Sequence, residues 1–376
     1  MLDSSIRSRI LVRGVNWLGD AVMTTPALQR LREFFPKAHI ALLTHEKLAE
    51  LWLRFPAIDE VLTFNTGESP WSIGQRLRSS NFSLGVIFPN SPRSALEVWR
   101  AKIPERVGYA RPWRNWLLTR AVCVTHTDMR KRTTREIRNL ISAPSPSSVS
   151  GPLTRSKEDS SHRLHHTQVY LALVGALGAN SQPLSPLLEV GDDELRKVQT
   201  RWLSDSTPSL WLGMNPSAAY GPAKRWPAEN FAATIREIST RVKDCRWIAF
   251  GGPEDMGLCE EIAVCAGGNV VNVAGKTTLR ELMALLKLCR VLLTNDSGPM
   301  HVAAALGTRV VVPFGSTSPE LTGPGLPGDS RHVLLNANVP CSPCFRRTCP
   351  IDLRCMTQIG VGQVSEAILQ ALSATR

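Results

Sequence analysis

Three segments of the sequence place polar or charged side chains where a strand is predicted to end and a helix to begin. The first reads RGVNWLGD, residues 13–20, and follows a short apolar strand. At such a junction the backbone N–H groups and the helix dipole favour negative charge. Asp20 falls at the start of the helix, where it could cap the helix or face a ligand above the sheet. The segment lacks the glycine spacing of a dinucleotide fingerprint and the Gly-Lys-Ser/Thr of a P-loop, so these residues alone favour the cap.

The second segment reads NPSAAYGPAKRWP, residues 215–227, and leaves another predicted strand as a loop. Its small residues let the backbone approach a phosphate, and a lysine supplies a mobile positive charge. Lys224 and Arg225 both lie just before a helix predicted to start at Pro227. We expect Lys224 to be the phosphate ligand and Arg225 to be a solvated neighbour.

The third segment reads TNDSGPMHVAAALG, residues 294–307, and joins a predicted strand to a predicted helix. Asp296 or Ser297 is the expected cap, and Gly298 leaves room for an anion against the exposed N–H groups. His301 is either a ligand or a first-turn histidine bonded to the backbone. With the small residues at 313–317, this segment and Lys224 indicate a diphosphate site. The candidate residues are Lys224, Asp296, Ser297, Gly298, Pro299, Met300 and His301.

Four of the nine cysteines lie close together: Cys341, Cys344, Cys349 and Cys355. The two-residue spacing of the first pair fits a tetrahedral zinc site, but the second pair is unlike a two-knuckle ribbon. Reduced structural thiols and a zinc that serves local stability remain alternatives. A nucleic-acid zinc ribbon is a further interpretation because Arg346 and Arg347 lie among the thiols, but no second basic-aromatic surface supports it. We therefore predict neither a catalytic metal nor a nucleic-acid partner.

The elements that must position these segments alternate between strand and helix. A continuous apolar run such as LGVIF, residues 84–88, is typical of a parallel strand buried on both faces. Strand–helix–strand repeats imply right-handed crossovers and a parallel sheet, with ligands at the carboxyl ends of the strands. The predicted strands are 9–12, 39–44, 60–64 and 84–88 in the first half, and 209–214, 246–250, 270–271, 291–294 and 309–313 in the second. We expect two Rossmann-like, doubly wound domains that face a central cleft.

The alternation stops between residues 127 and 166, a stretch rich in Ser, Pro, Arg and His. Because this stretch has no apolar period, we interpret it as a disordered or loosely attached insertion. Its basic flank could be an anion-binding loop, but we favour a solvated run of charges. The predicted domains are therefore 1–166, including the insertion, and 167–376. A final amphipathic helix at 363–372 is expected to pack across one of them.

The composition agrees with a globular protein. Of 376 residues, 43% are apolar and 20% charged, which excludes wholesale disorder. No apolar run approaches the roughly 18 residues of a membrane span, and the apolar run at 10–12 is interrupted at once by Arg13, unlike a signal peptide. We expect a cytoplasmic protein. The formal charge of +12 predicts an acidic partner, but charge alone does not choose among nucleic acid, a phosphorylated substrate and an anionic membrane surface.

The motifs together resemble glycosyltransferase family 9, in its ADP-heptose:lipopolysaccharide heptosyltransferase II branch. The similar segments are VRGVNWLGDAVMTTPAL, GPAKRWP, NDSGPMHVAAALG and CSPCFRRTCP, which fall in the family order. The resemblance spans about residues 9–125 and 167–372, and the 127–166 insertion departs from it. It implies a GT-B architecture and inverting transfer of heptose from ADP-L-glycero-D-manno-heptose to the heptose/Kdo inner core of lipopolysaccharide, without a cofactor.

The resemblance also implies roles for individual residues. Asp20 matches the position of the family's general base and Lys224 its phosphate lysine, and the residues of 296–301 become the donor side. Arg13, Asn16 and Trp17 become the acceptor side. The charge of +12 fits an acceptor with carboxylates and phosphates, and peripheral contact with the anionic inner membrane surface. A related GT-B enzyme with another nucleotide sugar and a basic, zinc-ribbon-bearing binding protein are the alternatives.

Overall fold

The computed structural model describes residues 8–123, 130–142, 164–203 and 210–374. Over these ranges the chain forms two compact units, each built around one six-stranded parallel sheet. The first unit comprises Met1–Thr125 and His166–Glu189, and the second comprises His126–His165 and Val190–Arg376. Two doubly wound parallel-sheet units, as the alternation predicts, are thus confirmed.

The sheet of the first unit has the order β3-β2-β1-β4-β5-β6. Its central strand β1 pairs in parallel with both β2 and β4, so the carboxyl end of β1 lies where the strand order reverses. Ligands of doubly wound sheets bind at such a point. The strands are β1 Arg9–Arg13, β2 His39–His45, β3 Glu60–Phe64, β4 Leu84–Ile87, β5 Glu105–Tyr109 and β6 Arg120–Val122. The helices are α1 Leu18–Met23, α2 Thr25–Phe34, α3 Pro70–Leu77, α4 Pro92–Arg100 and, later in the chain, α6 His166–Gly175.

The second sheet repeats the plan with the order β12-β11-β10-β7-β8-β9, and its strand order reverses at β7 and β10. Its strands are β7 Leu210–Asn215, β8 Cys245–Ala249, β9 Val270–Asn272, β10 Val291–Thr294, β11 Arg309–Phe314 and β12 Val333–Asn336. Its helices are α5 Thr134–Ser142, α7 Asp192–Trp202, α8 Ala228–Arg241, α9 Met256–Cys265, α10 Leu279–Leu288, α11 Gly298–Ala305, α12 Pro319–Thr322, α13 Arg354–Thr357 and α14 Val361–Ser373. The last helix, α14, packs on α8 and on the sheet at β10 and β11.

The central strands form because their side chains are apolar on both faces. In β1, Ile10, Leu11 and Val12 have no exposed surface, since helices cover both faces of a parallel sheet. The short edge strand β6 has three residues, RAV, with two of them exposed, and it has no apolar run that could have predicted it.

Part of the predicted insertion is an ordered element of the second unit. Residues 134–142 form α5, whose Ile137 is buried in the core of that unit. The backbone N–H of Arg132 donates to the Cys344 carbonyl at 3.0 Å, and the Arg132 guanidinium donates to the Pro340 carbonyl at 2.9 Å. The prediction of disorder is therefore wrong for residues 134–142. One buried side chain and hydrogen bonds to a distant segment hold this part of the chain, and neither produces an apolar period in the sequence. Residues 127–129 and 143–163 lie outside the described ranges.

The two units also exchange segments instead of dividing at one boundary after residue 166. His126–His165 belongs to the second unit and His166–Glu189 to the first. The exchanged helix α6 packs on α1 and α2. Its Tyr170 is buried there, and the hydroxyl of Tyr109 donates to the carbonyl of Val169. Buried contacts of this kind, rather than composition, decide to which unit a segment belongs.

The four clustered cysteines lie on the core of the second unit beside Ile137 and line one small cavity. Burial raises the pKa of Cys355 to about 12 and also raises the pKa of Cys341 and of Cys344, so these thiols stay protonated at neutral pH. In the described ranges no three His, Cys, Asp or Glu side chains are grouped so as to hold a metal ion. Among the described residues, likewise, none of the helices has the length and apolarity to cross a membrane.

Replacing Ile137 tests whether α5 is part of the folded core. Ile137→Ala removes a side chain that is 1% exposed, and such truncations cost about 2 to 5 kcal/mol. We expect the melting temperature to fall by roughly 5 to 15 °C in a calorimetric scan. Leu140→Ala, in the same helix but 37% exposed, is the matched control and should change it little. Equal, small effects of both substitutions would show that α5 contributes nothing to stability.

Candidate functional site

The chain leaves β1 through a close backbone approach to β2. Gly14 donates its N–H to the carbonyl of Leu43 at 2.9 Å. A Cβ at this position would lie 3.1 Å from Leu42 Cδ1 and 3.3 Å from the Leu43 carbonyl oxygen, so a side chain would push β2 away. The glycine therefore allows the loop 14–17 to turn directly over the sheet edge into α1.

Arg13 is an internal residue that holds this loop. It is buried with Glu97, and its Nε lies 2.7 Å from Glu97 Oε2. The guanidinium also donates to Asn16 Oδ1 at 3.0 Å and lies 4.3 Å from the ring centroid of Phe64. Asn16 and Trp17 are exposed. Of the three predicted acceptor-side residues, two are therefore open to a ligand, and Arg13 orients one of them from beneath.

Asp20 lies in the first turn of α1 without capping it. The N-cap residue is Trp17, and no side-chain cap hydrogen bond is formed. The Asp20 side chain is 32% exposed, and its Oδ1 lies 3.8 Å from Nδ1 of His166. That nitrogen is buried and has no hydrogen-bond partner in the described part of the chain. The cap that the residues alone favour is thus not what the structure shows, and an accessible carboxylate beside an imidazole remains.

His166 is a site neighbour that the sequence does not predict. It is the first residue of α6, which is separated from Asp20 by most of the first unit and by the segment of the second unit. The negative charge of Asp20 also reaches the buried Tyr170, whose pKa is raised first by burial and then by this charge. No motif links these positions, so only the packing of α6 on α1 brings them together.

In the second unit, β7 and β10 are joined at their carboxyl ends by a polar network. Asn215 Nδ2 donates to Thr294 Oγ1 at 3.1 Å and to Ser297 Oγ at 2.9 Å. Ser297 is the N-cap residue of α11, yet its side chain makes no cap hydrogen bond. The neighbouring Asn295 donates to the Pro216 carbonyl at 2.7 Å. Neither asparagine is among the predicted site residues, although both lie directly at predicted strand ends.

Lys224 and Asp296 meet at the start of α11. Lys224 Nζ lies 2.6 Å from Asp296 Oδ2, and the Thr317 hydroxyl donates to the same oxygen at 2.6 Å. Both members of the ion pair are largely buried, and the ammonium lies 4.8 Å from the ring centroid of Tyr220. Arg225 instead extends toward Asp255, at 3.5 Å, and is considerably more exposed. A cation, uncapped N–H groups and a hydroxyl thus converge where the sequence predicts an anion site.

The other predicted donor-side residues line the beginning of the same helix. Gly298 and Pro299 are partly exposed, whereas Met300 and His301 are buried in the first turn. Their backbone therefore takes part in the helix terminus, and the accessible surface belongs to Gly298 and Pro299. Asp20, Arg13, Asn16 and Trp17 belong to the first unit, and the Lys224 site belongs to the second.

The cysteine segment supports both loops of the Lys224 site. Tyr220 donates its hydroxyl hydrogen to the Phe345 carbonyl at 2.7 Å, and Ala223 donates its N–H to the Arg347 carbonyl at 2.9 Å. Gly221 has a φ of 149°, and a Cβ there would lie 2.5 Å from the Arg347 carbonyl oxygen. From the other side, the carbonyl of Ser316 accepts N–H bonds from Cys344 and Phe345 at 3.0 and 2.7 Å. The segment thereby fixes the loops that carry Lys224 and Thr317.

Comparison with known proteins agrees with this arrangement. The model of glycosyltransferase family 9 (heptosyltransferase) matches residues 70–354. Lipopolysaccharide heptosyltransferase 2 of Escherichia coli K12 is 28% identical over 333 residues, which cover 84% of this chain and 85% of that protein. Among solved structures, E. coli ADP-heptose lps heptosyltransferase II has a TM-score of 0.75 at 25% identity, with 97% of this chain and 98% of that chain covered. A family 9 glycosyl transferase from Veillonella parvula has a TM-score of 0.77 at 22% identity, with coverage of 98% and 99%.

The structural similarity extends over both sheets, and the fold is of the GT-B type. The family model covers about three quarters of the chain, including the Lys224 and α11 segments. The parallel sheets, the polar groups at the ends of their central strands and this match lead to one conclusion: the chain belongs to glycosyltransferase family 9 and is a glycosyltransferase.

Proposed function

We propose that the protein transfers a heptose from ADP-L-glycero-D-manno-heptose to the heptose/Kdo inner core of lipopolysaccharide, with inversion at the anomeric carbon. The observation that carries the proposal is the Lys224 ammonium held at the uncapped start of α11 in a member of family 9. A diphosphate leaving group needs such positive groups, and similarity to lipopolysaccharide heptosyltransferase 2 over 84% of the chain supports heptose as the sugar.

On the donor side, the bond from the anomeric carbon to the β-phosphate oxygen breaks, and negative charge grows on that oxygen. The first-turn N–H groups of α11 and Lys224 stabilise this charge, since both favour an anion at a helix N-terminus. Asp296 is paired with Lys224, and the Thr317 hydroxyl donates a hydrogen bond to the same carboxylate. A bound diphosphate then shares the ammonium with Asp296, while Gly298 and Pro299 offer the open surface of the turn.

On the acceptor side, Asp20 takes the proton of the attacking hydroxyl. The oxygen then forms its bond to the anomeric carbon on the face opposite the departing ADP, which inverts the configuration. His166, 3.8 Å away, lies where it can orient the carboxylate. Asn16 and Trp17 contact the acceptor, and Arg13 acts indirectly by holding Asn16.

The acceptor also determines the proposed location. Inner-core lipopolysaccharide carries Kdo carboxylates and lipid A phosphates, which match the formal charge of +12. We place the protein in the cytoplasm, in peripheral contact with the anionic inner membrane surface and without a nucleic-acid partner.

A panel of nucleotide sugars tests the proposed function. With a truncated, deacylated lipopolysaccharide core as acceptor, we expect product from ADP-heptose and little from ADP-glucose or UDP-sugars, as resolved by mass spectrometry. Preferred transfer from a UDP-sugar would favour the related GT-B enzyme instead. Absence of transfer from any donor by a folded protein that binds ADP would reject the proposed reaction.

Lys224→Ala tests the diphosphate contact. Loss of a charge-assisted hydrogen bond of about 1.5 to 3 kcal/mol should weaken ADP binding about tenfold or more. Calorimetry with ADP and with adenosine separates the phosphate from the base, and adenosine affinity should hardly change. Arg225→Ala, the adjacent cation, is the matched control and should retain ADP affinity. Equal losses for ADP and adenosine would mean that Lys224 is not a phosphate ligand.

Asp20→Asn tests the general base. Because the N-cap residue is Trp17, the substitution leaves the start of α1 unchanged and removes only the charge. A positioned carboxylate typically contributes 10²- to 10⁴-fold, so turnover should fall at least about a hundredfold. Melting temperature and ADP affinity, measured on the same sample, should stay constant. A variant that keeps most of its turnover would reject Asp20 as the base.

A further inference from the structure

The first unit exposes a cluster of tryptophans that the proposed chemistry does not use. Trp71, Trp99, Trp113 and Trp116 are all exposed, the last two by 87% and 68%. Large apolar side chains left in water as a group mark interaction sites, whereas single ones need no explanation. The motifs of the sequence give no sign of a basic-aromatic surface here because these residues are spread over 46 positions and three elements.

Three of the rings form one continuous surface. The ring centroids of Trp71 and Trp99 are 6.4 Å apart, and those of Trp99 and Trp116 are 6.0 Å apart, both edge to face. Trp71 lies in the first turn of α3, Trp99 lies in the last turn of α4, and Trp116 lies in a short 3-10 turn after β5. We name the surface formed by Trp71, Trp99, Trp113 and Trp116 the tryptophan surface.

The fourth ring is presented by a turn that is anchored from beneath. Trp113 has a φ of 65°, a backbone region that bulky residues rarely adopt. The next residue, Arg114, is buried and donates to the Pro89 carbonyl at 2.6 Å. A Cβ at Gly108 would lie 2.7 Å from Arg114 Nη2, so the glycine makes room for this anchor. The exposure of Trp113 is therefore imposed by the fold.

The stretch of chain that carries the four tryptophans is strongly positive. Residues 71–116 contain eight Arg or Lys and two Glu, which is half of the formal charge of +12. Glu97 is buried and paired with Arg13 and Arg93. Arg100 lies 5.4 Å from the ring centroid of Trp71, and the exposed Lys102 donates its N–H to the Trp99 carbonyl.

We propose that the tryptophan surface docks the protein on an anionic lipid bilayer. Indole rings favour the headgroup level, and basic side chains are attracted to an anionic leaflet by about fivefold in affinity each near its surface. The rings of Trp71, Trp99 and Trp116 contact one another at their edges and do not stand apart as separate stacking platforms, which argues against single-stranded nucleic acid as the occupant. Bilayer docking itself does not depend on the proposed function. Only its purpose does, which is to bring the enzyme to a lipid-anchored acceptor.

Flotation with vesicles tests the docking directly, without donor or acceptor. We expect the protein to float with vesicles of equal parts phosphatidylcholine and phosphatidylglycerol, and not with phosphatidylcholine alone. The double variant Trp113→Ser/Trp116→Ser should bind the anionic vesicles at least about tenfold more weakly, because two apolar side chains lose their burial. Val264→Ser, which alters an apolar residue 70% exposed on α9, should bind as the wild type does. Melting temperatures of all variants should agree.

A pair of charge reversals distinguishes binding through the tryptophan surface from binding through the overall charge of the protein. Lys102→Glu and Lys243→Glu change the protein's charge equally, and both lysines are exposed turn residues. Lys102→Glu should weaken vesicle binding at least about fivefold, and Lys243→Glu hardly. Equal losses would show that only overall charge matters, which would overturn the proposal. Wild-type binding by the tryptophan double variant, or absence of vesicle binding by the wild type, would overturn it as well.

Transfer assays then separate the bilayer from other occupants. With acceptor embedded in anionic vesicles, the tryptophan double variant should turn over at least about tenfold more slowly at limiting vesicle concentration. With deacylated soluble acceptor it should match the wild type. A loss with the soluble acceptor would make these residues acceptor ligands, and tighter, tryptophan-dependent binding of a single-stranded oligonucleotide would make them a nucleic-acid site. Both results would reject bilayer docking, whereas failed transfer by protein that still floats would reject only the proposed function.

Discussion

The ion pair between Lys224 and Asp296 is the interaction on which the second unit depends most. Two opposite charges lie almost out of water at the edge of a sheet, and leaving either unpaired there would be costly. The structure meets this cost with Thr317 on the carboxylate and Tyr220 beside the ammonium. The carboxylate of Asp296 is thus held against the ammonium by a second hydrogen bond.

Much of the remaining second unit serves to keep that pair in place. The loop of Lys224 and the loop of Thr317 are both bonded to the cysteine segment. Arg132, which precedes α5, is bonded to the same segment, and Ile137 of α5 lies in the core beside it. A segment distant in sequence thus supports the loops that carry Lys224 and Thr317. In the first unit the buried ion pair has a different role. Arg13 and Glu97 anchor the loop before α1, and Asp20 stays accessible to solvent.

Regular patterns in the sequence predict the strands and the edge at which they end. Apolar runs identify β1 and β4, and because parallel strands end at one edge, residues after β7 and β10 can be expected to meet there. Asp296, Ser297 and Lys224 do meet. That Thr317 bonds to Asp296, and that Asn215 bridges Thr294 and Ser297, is known only from the structure. The surroundings of His166 and Arg13 cannot be predicted from the sequence, for a physical reason. His166 reaches Asp20 only because α6 packs on α1, and Arg13 is paired with the carboxylate of Glu97, which is 84 residues away. The helix α5 is not predicted because a single buried side chain produces no apolar periodicity.

The cysteines illustrate how burial decides chemical reactivity. Only a thiolate reacts readily with an alkylating reagent, and burial keeps Cys341, Cys344 and Cys355 in the neutral form. Two other thiols are exposed, Cys123 in the first unit and Cys265 in the second. The sequence therefore offers one exposed thiol on each unit, so a spectroscopic label can be attached to either unit without introducing a new cysteine.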